Sequence, residues 1–138
     1  MLKVTLYKDE YLVIEYSEEG QYLVHTWQGF TSYETFCTLI DKAVSFLKEK
    51  KAKGFIIDSR EHRGIGTALQ EYAAQKTSQF EQENYPIKQA LVIPENIFSR
   101  LSVENDSQKV RDKLDTSEIA YFDNLDDAEA WMMQNKRP

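Results

Sequence analysis

Three short apolar runs, GFIID at 54–58, ALVIP at 90–94 and EIAYF at 118–122, are separated by longer amphipathic stretches, and this alternation constrains the fold most. A run of that length bounded by Gly, Asp or Pro suits a strand covered on both faces. The intervening lengths suit helical crossovers, so these runs are predicted to lie parallel, with right-handed connections. The N-terminal part reads differently. Residues 2–7 and 11–16 carry β-branched and aromatic residues on either side of KDE, as two short strands rather than one kinked strand. SEEGQ at 17–21 has the charge and the glycine of a hairpin turn, and YLVHTWQGF returns as the next strand. The entry to the sheet is therefore antiparallel.

Helices fill the gaps. Thr31 followed by Glu34 reads as a capping box, with Phe36, Leu39, Ile40, Ala43 and Leu47 at helical spacing behind it. Thr67 with Gln70 gives a second box-like start, continued by Leu69, Tyr72, Ala73, Lys76 and Phe80. Ile97, Phe98, Leu101, Val110 and Leu114 predict a helical segment broken near Ser102. Asn124 with Asp127 opens the last helix, which carries Leu125, Ala128, Trp131 and Met132. The expectation is one α/β domain over residues 1–138, in which an N-terminal antiparallel hairpin is followed by βα units. These build a mixed, mostly parallel sheet with helices packed against it.

Composition narrows the function. The chain of 138 residues is 41% hydrophobic and 29% charged, enough to bury a continuous core in a soluble globular domain. A formal charge of -6 leaves no basic footprint for nucleic acid. Cys37 is the single cysteine and His25 and His62 the only histidines, so no zinc spacing exists and no cofactor is implied. Lys8, Asp9 and Glu10 interrupt the apolar N-terminus before a signal-peptide core or an integral membrane segment could form, which predicts a cytoplasmic protein.

The stretch GFIIDSREHRGIGTALQEY at 54–72 draws attention because it brings glycines between a strand and a helix start, where backbone N–H groups favour anions. It does not fit a nucleotide cradle. Leu69 stands where a dinucleotide fingerprint needs its third glycine, and Gly66 stands where a P-loop needs lysine. Asp58, Ser59, Arg60, His62 and Arg63 are expected on an exposed loop at the C-terminal edge of the parallel strands, the usual ligand side of such sheets, and form the candidate recognition loop. Thr67 is expected to serve as an N-cap. Cys37 reads as a small hydrophobe rather than a nucleophile, since nothing in the spacing brings it a base. His25 alternates with Leu23 and Trp27, which predicts a partly buried, hydrogen-bonded imidazole. Asp126, Asp127 and Glu129 oppose a helix dipole and need no acid–base role.

Four strings carry a likeness to a known family: WQGF at 27–30, DSR at 58–60, PENIFSRLS at 94–102 and YFDNLDDAEAW at 121–131. Together they make the chain resemble the STAS, or SpoIIAA-like, domains of anti-sigma-factor antagonists and sulfate-transporter tails. The resemblance is nearer still to small stand-alone bacterial STAS/SEC14-like proteins. It implies a non-enzymatic signalling or protein-interaction role with an unidentified protein partner, with homodimers or a small apolar ligand as further expectations. Anti-sigma antagonists carry a phosphorylated Ser or Thr in an Asp-Ser-Ser-Gly type motif at the start of the second helix. Here that start reads GIGTAL, so the motif is not intact. Thr67 is the nearest hydroxyl and Ser59 lies eight residues earlier, making these two the candidate phosphorylation sites.

Overall fold

The computed structural model describes residues 2–64, 66–104 and 118–134. Its six-stranded sheet runs in sequence order, β1 (Val4–Lys8), β2 (Leu12–Ser17), β3 (Tyr22–Phe30), β4 (Gly54–Arg63), β5 (Lys88–Val92) and β6 (Glu118–Phe122). The β1/β2 and β2/β3 pairs are antiparallel, whereas β3/β4, β4/β5 and β5/β6 are parallel. Helices α1 (Tyr33–Lys50), α2 (Thr67–Glu83), α3 (Glu95–Glu104) and α4 (Leu125–Met133) complete the described elements. The α/β architecture, with its antiparallel entry and parallel remainder, is the one expected.

Strand alternation divides the core in two. Leu12, Ile14 and Tyr16 of β2, Leu23 and Trp27 of β3 and Phe55 of β4 face α1 and α2, where Phe36, Leu39, Ile40, Ala43, Leu47, Leu69 and Phe80 cover them. On the other face Tyr22, Val24, Ile56, Ala90 and Val92 pack against Ala128 and Met132 of α4. The two helices on the first face are unequally anchored. Five residues of α1 are buried, but of the seventeen residues of α2 only Leu69 and Phe80 are.

Several boundaries move for physical reasons. Ser32, not Thr31, caps α1: its hydroxyl accepts from the Thr35 amide at 3.2 Å, while Thr31 turns inward and is buried. Gly66, not Thr67, is the N-cap of α2 and offers no side-chain acceptor. The last helix does start at Asn124, whose side chain accepts from the Asp127 amide at 2.8 Å. β5 spans Lys88–Val92 and so ends before Pro94, whose carbonyl instead accepts the Ile97 and Phe98 amides at the start of α3. That helix runs through Ser102 without the expected break, and Val110 and Leu114 lie outside the described residues. The largest difference is β4, which is ten residues long and not five. Its polar second half, which reads as a loop, pairs with Gln28–Phe30 of β3.

Candidate functional site

The continuation of β4 decides where its polar residues point. Thr26 pairs with Asp58, but Gln28 pairs with Glu61, so two steps on β3 answer three on β4. This is a β-bulge, and one extra residue re-aims every side chain beyond it. By plain alternation His62 would share the α4 face with Ile56 and Asp58. After the bulge it pairs with Gly29 and turns to the α1 face, on the side of Trp27.

There His62 stacks on Trp27, with centroids 5.0 Å apart and planes 17° from parallel, and on Phe36 at 5.9 Å and 18°. Its Nε2 is 3.0 Å from the Thr31 hydroxyl. Burial lowers its pKa and so favours the neutral ring. The buried Thr31 therefore has a structural task, fixing an imidazole in place, which explains why the cap passes to Ser32.

Aromatic rings continue to the surface around this slot. Phe30, 64% exposed, lies over Gly64, where a Cβ would come within 2.5 Å of its ring and where φ is +70°. Only glycine fits such a position at low cost. Tyr33, 53% exposed, meets Tyr72 edge-on at 6.2 Å. Hydrogen bonding to Cys37 raises the Tyr33 phenol. The Tyr72 hydroxyl donates to Asp41 at 2.7 Å, which pushes its own pKa up to about 12. Cys37 is half-buried and unoxidised, and no described contact joins it to either histidine.

The candidate recognition residues are thus split between two faces. Asp58, nearly buried, accepts from Arg60 Nε at 2.9 Å and Nη2 at 2.8 Å, and from the Arg60 amide at 3.2 Å. Hydrogen bonding to Asp58 in turn raises the Arg60 guanidinium above its ordinary value. The Ser59 hydroxyl donates to the Val92 carbonyl at 3.4 Å. Arg63 and Thr67 are exposed. Sequence reasoning did not single out Phe30, Thr31 and Tyr33 as parts of one rim, because a β-bulge beyond 58 was needed to gather them with His62.

His25 departs furthest from expectation. It is 4% exposed and stacked on Phe55 at 5.3 Å and 20°, yet among the described residues neither ring nitrogen has a hydrogen-bond partner. Burial alone holds its pKa down at about 4, against an ordinary value of 6.5. A separate cleft of about 590 Å³ lies at the other end of the strands, lined by Glu19, Tyr22, Lys53, Lys88, Trp131 and Met133. Lys88 crosses its wall, donating to the Trp131 carbonyl at 2.8 Å with its ammonium 4.2 Å from the indole centroid. Among the described residues no group of His, Cys, Asp and Glu could hold a metal ion.

The whole architecture recurs in an uncharacterised protein of the DUF3478 family from Shewanella loihica PV-4, described as having a SpoIIAA-like fold. The two superpose with a TM-score of 0.57 over 96% of each chain, at 19% sequence identity. The fold is SpoIIAA-like. No protein-family model matches the chain, and no curated protein does either. Within this SpoIIAA-like frame the described aromatic rim sits where β3 and β4 end and α1 begins. Among the described residues no helix is long and apolar enough to cross a membrane.

Proposed function

We propose that this SpoIIAA-like domain is a non-enzymatic interaction module of the cytoplasm, and that its contact surface is the rim formed by Phe30, Tyr33, His62 and Arg63. The observation that carries the reading is the exposure of two large aromatic side chains, Phe30 at 64% and Tyr33 at 53%, beside a rigidly held imidazole. Exposed rings on a fixed scaffold are the usual anchors of protein contacts. Thr67 is the hydroxyl better placed for a regulatory phosphate. It is exposed at the first turn of α2, whose Gly66 cap leaves the leading N–H groups without a side-chain acceptor. Ser59 is half-buried and already donates to Val92. A photo-crosslinking residue at Phe30, compared with one at the exposed Gln75 of α2, tests the surface in cells. A discrete adduct from position 30 alone, abolished by Tyr33→Glu, is expected, and an adduct of twice the chain mass would identify a homodimer. Equal labelling from both positions, or turnover of a substrate that depends on His62, would sink the reading.

A second reading, binding of a small apolar ligand, is favoured by the thin anchoring of α2. With only Leu69 and Phe80 buried, it covers an aromatic layer that contains an unpaired imidazole. A molecule released from native protein by denaturation, and absent from a Leu69→Glu variant, would support it.

A further inference from the structure

A buried imidazole with two unpaired nitrogens is unusual, because buried polar groups almost always find a partner and an unsatisfied one carries the full cost of leaving water. Among the described residues nothing charged faces His25. On its own face the neighbouring strands present Ile14 of β2 and Phe55 and Ile57 of β4. By alternation Glu15 and Asp58 belong to the opposite face. On α1 the buried positions are Phe36, Leu39, Ile40, Ala43 and Leu47, and on α2 Leu69 and Phe80. Of the charged residues of these helices, Asp41, Lys42, Glu71 and Lys76 lie towards the outside, where Asp41 bonds Tyr72 and Lys76, and the half-buried Glu81 accepts from the Ile87 amide at 3.0 Å. The second imidazole of this face, His62, is already joined to Thr31, so among the described residues His25 is the unpaired polar group of a mostly apolar layer, with one nitrogen able to donate and the other to accept.

We propose that the helix-covered face of the sheet takes a long-chain molecule bearing one hydroxyl or carboxyl group, and that His25 receives that group. The inference rests on the apolar-ligand reading above and gives that ligand its polar end. An alcohol or a protonated acid donates its O–H to one ring nitrogen, while the other nitrogen's N–H can meet a second oxygen. Room for the chain comes at the expense of α2, which has two buried residues to displace where α1 has five. Such a site follows the ordinary pattern of ligand pockets, mostly apolar walls with a few placed polar groups.

The test titrates the full chain with dodecanoic acid, 1-dodecanol and dodecane, each delivered from cyclodextrin. Binding is followed by calorimetry and by the imidazole nitrogen resonances of His25. The acid or the alcohol is expected to bind at least about tenfold more tightly than the alkane, and to shift the His25 resonances. His25→Leu, which removes an unsatisfied polar group and should fold at least as well, is expected to erase that preference, and His25→Gln to restore part of it. Equal binding of all three probes to the wild-type chain and to His25→Leu would overturn the role of His25 while leaving the apolar-ligand reading standing. Failure of every probe to bind would overturn both.

Discussion

Acidification should weaken the fold through His25, and the size of the effect follows from its burial. The ring has an ordinary pKa of 6.5 in the unfolded chain and about 4 when folded. Between those values the unfolded state binds more protons, so stability falls as pH falls. The contribution is intact above pH 6.5, declines through the window down to about 4, and is flat below it. Linkage over that window gives a loss of about 2.5 kcal/mol by about pH 4.5, a large share of the typical 5–15 kcal/mol of a domain. His62, also lowered by burial, acts in the same direction, whereas Glu81, raised by burial, acts in the opposite one. Comparison with a single variant cancels both. Urea unfolding of the wild-type chain and of His25→Leu at closely spaced pH values is the assay. The two stabilities should differ by an amount that changes by about 2.5 kcal/mol between neutral pH and about pH 4.5. A difference that stays constant across that range would refute the reasoning, because it would mean that the folded ring titrates like a free one.

Three further outcomes follow from particular contacts. Ser32→Ala should cost about 1 kcal/mol by thermal unfolding as the α1 cap is lost, whereas Thr31→Ala should leave the cap intact and change the His62 titration followed by NMR, since the 3.0 Å contact to Nε2 disappears. Gly64→Ala should destabilise by about 1–2 kcal/mol, from its positive φ and the 2.5 Å approach to Phe30, while Gly66→Ala, with nothing within 4 Å, should cost little. Arg60→Met should cost about 2 kcal/mol in urea unfolding, because it strips the guanidinium from a carboxylate that is only 6% exposed. Unfolding curves that rank these variants otherwise would contradict the assigned contacts.

Much of the architecture was legible because its signals are local. GFIID and EIAYF are apolar runs that become strands wherever a sheet is available, and the spacing of Phe36, Leu39, Ile40, Ala43 and Leu47 defines the buried stripe of α1 before any packing is known. The helix starts were harder. Thr31 and Ser32 both satisfy the capping rule, and the choice between them depends on His62, thirty-one residues away from Thr31. The same limit applies with more force to the site. SREHR is polar and carries no strand signal of its own; it becomes strand because Gln28–Phe30 offer a free edge to pair with. Whether His62 then faces α1 or α4 depends on one extra residue in a pairing register, a quantity that belongs to two strands jointly and to neither sequence alone.

That dependence bears on function. The bulge places the carboxylate–guanidinium pair of Asp58 and Arg60 apart from the aromatic slot of His62, although all three residues fall within five positions of one strand. The pair is internally neutralised, so it offers little net charge to a ligand, and its measurable effect is on stability. The slot keeps its polar edge beside exposed rings, where binding energy can be gained without first breaking an ion pair. Deleting Ser59 separates the two assignments. Removal of the extra residue keeps His62 opposite Gly29 on the α1 face, beside Trp27, but turns Arg60 to that face and away from Asp58. The deletion should therefore lower stability in urea unfolding, through the carboxylate left without its guanidinium, while crosslinking at position 30 is retained. A deletion variant that folds and loses the crosslink would show that the rim depends on the ion pair and would refute the separation.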